Sequence, residues 1–187
     1  HCLAQLPTRT GSGVYFHNLI NEIEKQTDWQ QAALYALPAD KGFAKNPTVD
    51  KPSLCRLDET AEWIDCDSHY PVFFETESLP FPIVGMSDEM PYPSTRYCRM
   101  DDEMVDCWER AFYQELIRIK EEYRPDVIIS HHLWILSAMV LEIFPDIPVI
   151  GISHGTDIRQ ARQNPDIAKR YVGSLRGLSK VLALSDS

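Results

Sequence analysis

The sequence predicts an α/β fold built on a doubly wound, mostly parallel sheet, and three observations predict it. Short aliphatic runs recur in RPDVIIS, IPVIGIS and KVLALS, and they are too continuous for one-sided antiparallel strands. Segments with helical spacing alternate with these runs, which is the order of repeated βα units. Two of the runs lead directly into histidines, at 131, 132 and 154, so polar residues fall where open parallel sheets bind ligands, outside the carboxyl ends of the strands.

Taken in order, residues 1–6 (HCLAQL) read as the first strand and PTRTGSG as a turn. A helix over 14–25 follows, with Phe16, Leu19, Ile20 and Ile23 at helical spacing. Residues 31–37 (QAALYAL) form a second strand, closed by Pro38 and a turn-rich segment over 39–52. A short helix is expected over 58–65 and a third strand over 72–75. Prolines at 80, 82, 91 and 93 make 79–99 a long loop without regular structure, and loops of that length in compact domains are commonly functional. Asp101 caps the next helix, whose stripe of Met104, Trp108, Phe112, Leu116 and Ile119 faces the sheet and which Pro125 ends. Then come a strand over 126–130, a helix over 133–144, a strand over 149–153, a helix within 165–175 and a buried strand over 181–185.

A chain of 187 residues with 44% hydrophobic residues suits a single domain with its own core. The net charge of −10 argues against general nucleic-acid binding, because phosphate attraction needs a basic face. Charge is uneven, however. Residues 158–180 hold Arg159, Arg162, Lys169, Arg170, Arg176 and Lys180 against Asp166 alone, so this tract is either an ordinary solvated helix surface or the place for peripheral contact with an anionic membrane. Five cysteines without a CxxC pair favour neither a disulfide framework nor a zinc knuckle, and read as reduced cytosolic thiols. No apolar run approaches the about 20 residues of a membrane helix and no signal-peptide pattern opens the chain, so a cytoplasmic protein is expected. The first strand reads as already half complete and the last run stops just past a strand, so the natural chain is expected to extend in both directions.

The residues most able to carry chemistry lie at strand ends. His154 leaves a buried strand and is followed by Gly155, which permits an unusual backbone angle, then by Thr156 and Asp157. His131 and His132 end the neighbouring strand; adjacent residues of an extended chain face opposite ways, so one of them, His131 by slight preference, is expected to see the site. The turn Thr10, Gly11, Ser12, Gly13 brings backbone N–H groups to a helix start, where an anion can sit, although it is neither a GxGxxG fingerprint nor a nucleotide-hydrolysing loop. Arg9 and His17 flank that turn as candidate contacts for an anionic or polyhydroxylated substrate. The histidines lack zinc-ligand spacing, no metal is expected, and no GxSxG elbow supports hydrolase chemistry.

Together, QLPTRTGSGVYFHNLINEI, RPDVIISHH, PVIGISHGTDI and KVLALSDS resemble the amino-terminal domain of GT-B fold glycosyltransferases, in particular the retaining family 4 (group 1) enzymes. The resemblance spans nearly the whole chain, as one Rossmann-like domain over 1–187. It implies that His154 approaches the donor sugar as the catalytic residue. It also implies that Gly11, Ser12, Gly13, Gly155, Asp157 and Ser185 lie around the donor phosphates and sugar, and that Arg9, His17, His131 and His132 face the acceptor. The implied partners are a nucleotide-sugar donor, used without a metal or cofactor, and a sugar, lipid-linked or small-molecule acceptor. A carboxyl-terminal donor-binding domain with paired glutamates would belong to the same protein, and residues 1–187 alone are expected to be inactive. A noncatalytic sugar- or nucleotide-binding domain, or another GT-B enzyme such as a nucleotide-sugar epimerase, would share the fold pattern.

Overall fold

The structure is a computed structural model that describes residues 1–7, 10–39 and 66–184. The expected short helix over 58–65, nearly all of the turn-rich segment over 39–52, and the candidates Arg9 and Ser185 lie outside the described residues.

The main sheet has six strands, all paired in parallel, in the order β3-β2-β1-β6-β7-β8. They are β1 (Cys2–Leu3), β2 (Ala32–Pro38), β3 (Ser68–Phe74), β6 (Ile128–His131), β7 (Val149–Ser153) and β8 (Lys180–Ala183). A separate two-residue ladder pairs β4 (Val84–Gly85) with β5 (Thr95–Arg96), inside the stretch expected to lack regular structure. Among the described residues, five α-helices connect them: α1 (Gly11–Gln26), α2 (Asp102–Glu122), α3 (Ile135–Ile143), α4 (Thr156–Gln163) and α5 (Pro165–Tyr171). This is the doubly wound, Rossmann-like arrangement. Sequential strands run outward from β1 to β3, and the chain then returns to place β6 on the other side of β1. That reversal between β1 and β6 opens a crevice at the carboxyl ends of the strands.

The central strands are buried for the reason their sequences suggest. Ala33, Leu34, Tyr35, Ala36 and Leu37 of β2 are all buried, as a strand covered on both faces requires. In α2, Asp101 accepts the Met104 N–H at 2.9 Å, and Val105, Trp108, Phe112, Leu116 and Ile119 form the buried stripe. Met104, expected in that stripe, is only half-buried, because the face is centred one residue further along. Trp108 and Phe112 stack at 4.1 Å between centroids. In β7, a Cβ on Gly151 would come within 2.5 Å of a Leu133 methyl and 2.9 Å of a Leu178 methyl, so a side chain there would have to displace both leucines.

Three element expectations are corrected. The glycine turn is not a turn: Thr10 accepts the Gly13 N–H at 3.0 Å as an N-cap, so Gly11, Ser12 and Gly13 are the first turn of α1. Residues 156–163 form α4, which the sequence hid because only Asp157 and Gln160 of this polar segment are buried. The last strand, expected to be buried, lies at the sheet edge with Lys180–Ala183 all exposed, since β8 pairs with β7 alone. Among the described residues, no helix is long and apolar enough to cross a membrane.

Candidate functional site

A cavity of about 470 Å³ opens at the crevice between β1 and β6, within the size range of small-molecule sites. One wall is the start of α1, with Thr10, Gly11, Ser12 and Tyr15; another is the end of β6 and β7, with His132, His154 and Thr156. Residues 86–91 of the proline-rich loop form the third wall through Met86, Ser87, Glu89, Met90 and Pro91. Helix α4 holds that loop in place. Gln160 donates to the Met86 carbonyl at 3.1 Å, Arg159 to the Ser87 hydroxyl at 3.1 Å, and Gln163 to Asp88 at 3.3 Å. A smaller hollow of about 80 Å³ lies at the amino ends of the strands, where Ile23, Leu116 and Phe144 line it together with His1, Gln30, Gln31 and Tyr123.

Three histidine rings pack together at the cavity. Nδ1 of His131 and Nε2 of His154 are 3.2 Å apart, with the rings stacked at 26°. The His132 ring lies 4.5 Å from that of His154, and its Nδ1 is 3.3 Å from the Thr156 hydroxyl. Tyr15 closes on the cluster edge-on, 5.6 Å from His154 and 5.9 Å from His131. Burial is the main force on their titration. It holds His131 and His132 well below the ordinary 6.5, reinforced by the neighbouring imidazoles, so both are neutral at physiological pH. His154 is also lowered by burial, though the Asp157 carboxylate pulls the other way.

Both neighbours reach His154 because the chain is not extended at His132. That residue has φ of +65°, the left-handed region, which turns its ring back beside His154 instead of to the opposite face. Its backbone is held by the His132 N–H donating to the Ile152 carbonyl at 2.9 Å, and by Trp134 N–H and the Ser137 hydroxyl donating to the His132 carbonyl at 2.9 and 2.6 Å. Such over-determined strain concentrates at functional sites. His132, rather than the favoured His131, lines the cavity; His131 sits behind it at 1% exposure, against Phe16.

The other candidates divide. Gly11 and Ser12 line the cavity, and no atom lies within 4 Å of where a Cβ on Gly11 would stand, so its backbone is open to a ligand. Gly13 is buried, its N–H spent on Thr10. Gly155 adopts φ of +77° at the start of α4, as its position after His154 suggests. Asp157 is absent from the lining: the residue is 2% exposed, and its carboxylate accepts the Leu133 N–H at 3.0 Å and the Ser153 hydroxyl at 3.1 Å. His17 is likewise absent from the lining; it lies buried on α1 with Nε2 2.9 Å from the Asn21 amide. Part of the basic tract is engaged internally, with Arg170 paired to Asp102 at 2.6 Å.

Sequence reasoning missed Gln5 and Tyr15. Gln5 is 1% exposed, yet it lines the cavity, and it accepts from the Ser12 hydroxyl at 3.4 Å. A glutamine inside the aliphatic first strand was the signal available for it. Among the described residues, no three His, Cys, Asp or Glu side chains are grouped to hold a metal ion.

Fold and site thus define a Rossmann-like domain with a histidine-walled cavity at its strand-order reversal. No family model matches the chain, and no curated protein matches it.

Proposed function

We propose that this chain is the acceptor-side domain of a retaining glycosyltransferase of the GT-B, family 4-like type, which moves a sugar from a nucleotide-sugar donor to a hydroxylated acceptor. The observation that carries the reading is His154, which leaves β7 beside a left-handed glycine and faces the start of α1 across the switch-point cavity. The positive end of α1, bare at Gly11, suits the donor phosphates. His154 then lies beside the sugar, where a hydrogen bond can offset charge as the nucleoside diphosphate departs. The hydroxyl and amide groups of Gln5, Thr10, Ser12, Tyr15, Ser87 and Thr156 suit a polyhydroxylated acceptor. A donor-binding domain in the same protein completes the site on this reading. A lipid-linked acceptor would bring the exposed basic residues of 158–180 to a membrane surface at the cytoplasmic face.

Hydrogen exchange on the natural full-length protein tests the placement. Adding a nucleotide sugar that the protein consumes is expected to slow exchange at 10–15, 86–91 and 154–156. Slowing elsewhere, with these three segments unchanged, overturns the assignment of the cavity.

A further inference from the structure

We propose that His131 is a positioning residue, which donates its Nδ1–H to Nε2 of His154 and so holds His154 in the tautomer whose proton sits on Nδ1. His154 then meets its ligand as a hydrogen-bond donor. Calling that ligand a sugar rests on the reading above; the arrangement of protons rests on the ring geometry alone.

The nitrogens of His131 and His154 that face one another are 3.2 Å apart, and a pair of neutral rings has one proton to place between them. Burial favours the neutral form of both rings; the neighbouring imidazoles add to this at His131, and the Asp157 carboxylate opposes it at His154. Two arrangements remain, and they differ at the far side of His131. Its Nε2 is buried, with no hydrogen-bond partner among the described residues. If His154 donated, that nitrogen of His131 would carry a proton with no acceptor. If His131 donates, the same atom is a bare lone pair. Buried donors without acceptors are rarer in folded proteins than under-used acceptors, which favours the second arrangement. The rings of Phe16 and Tyr15, at 5.1 and 5.9 Å from His131, offer an N–H group at best a weak contact with an aromatic face.

The consequence falls on His154, whose ring lines the cavity and whose Nδ1 has no protein partner among the described residues. A proton fixed there makes the imidazole a donor to an oxygen lone pair, on a hydroxyl, an ether or a phosphate. It cannot then serve as a base through that atom.

Nitrogen NMR of the full-length protein, labelled at the ring nitrogens of histidine and observed at neutral pH, reads the tautomer directly. Wild type is expected to show His154 with a protonated Nδ1 and a bare Nε2. In His131→Asn, whose amide can still donate, the same form is expected to persist. In His131→Phe, Nε2 of His154 is expected to gain the proton in a substantial share of molecules. A wild-type His154 protonated on Nε2, or an unchanged tautomer in folded His131→Phe, overturns the proposal. Should His131→Phe fail to fold, the wild-type spectrum decides alone. No sugar transfer enters the readout, so failure of the glycosyltransferase reading leaves it standing.

Discussion

Asp157 carries its charge into a site 2% exposed, where its two oxygens tie the start of α3 to the end of β7. Removing it would strand the half-buried Leu133 N–H and the Ser153 hydroxyl, and hydrogen bonds to charged groups contribute about 1.5–3 kcal/mol each. Asp157→Ala is therefore expected to lower unfolding stability in urea by about 2–4 kcal/mol, below the ceiling of about 6 kcal/mol for two full-strength bonds because both are only part-buried. A loss below about 0.5 kcal/mol would place the carboxylate back among ligand groups, since that is the scale of surface substitutions. Gly155→Ala meets no atom within 4 Å, so its cost is backbone strain alone, about 1–2 kcal/mol for φ of +77°. At this scale the sequence reading expected His154 and one of His131 and His132 at the site, and the structure brings all three rings together. His131, His132 and His154 were legible from their places at strand ends. The left-handed turn at His132 was not, because alternation along a strand predicts opposite faces, whereas backbone bonds with Ser137, Trp134 and Ile152 and the Thr156 hydroxyl at the ring hold it otherwise.

Helix α4 is mostly polar, with Ile158 exposed and Ala161 against the core, and it clamps the loop that closes the cavity. The Gln160 side chain is the centre of that clamp, donating to Met86 and accepting from Asn164 at 2.7 Å. Gln160→Ala is expected to cost about 1–3 kcal/mol by leaving a buried carbonyl unpaired. It should also speed hydrogen exchange over 86–91 while leaving α2 unchanged; uniform acceleration would indicate general destabilisation instead. The basic tract belongs to α4, α5 and the turn after them. If it meets an anionic membrane, reversing Arg162, Lys169 and Arg176 should abolish sedimentation of the full-length protein with phosphatidylserine vesicles; unchanged sedimentation removes that role. Elements with an apolar stripe, such as α2, were legible to within a residue or two. Helix α4 was not, since its contacts are amides and guanidinium groups meeting a loop far off in sequence, which leave no periodic trace. The short β4–β5 ladder depends in the same way on pairing across the loop.

Across the whole molecule, a histidine pair kept neutral by the fold makes stability depend on pH. Folded His131 and His132 titrate well below 6.5 while the unfolded chain binds protons near that value, so the unfolded state takes up more protons as pH falls. Stability is thus full above 6.5 and declines below it, by about 1.4 kcal/mol for each such histidine on going one unit under that value. Urea unfolding at about pH 5.5 should show a loss of roughly 2–3 kcal/mol relative to pH 7.5. A flat profile would mean the rings are already solvated. Glu115, raised by its own burial, acts in the opposite sense, since the folded chain then binds the extra proton as pH falls. The parallel sheet itself was the most legible feature, because buried aliphatic strands and intervening helices admit few other arrangements. The function is read from a smaller base, His154 at the switch-point cavity. The most direct measurement is release of nucleoside diphosphate from a panel of nucleotide sugars by the natural full-length protein, with extract from its own cells as acceptor, beside His154→Ala. The account predicts acceptor-dependent release in wild type and a loss of about 100-fold or more in folded His154→Ala. Release that is undiminished in the variant, or absent with every donor, would contradict it.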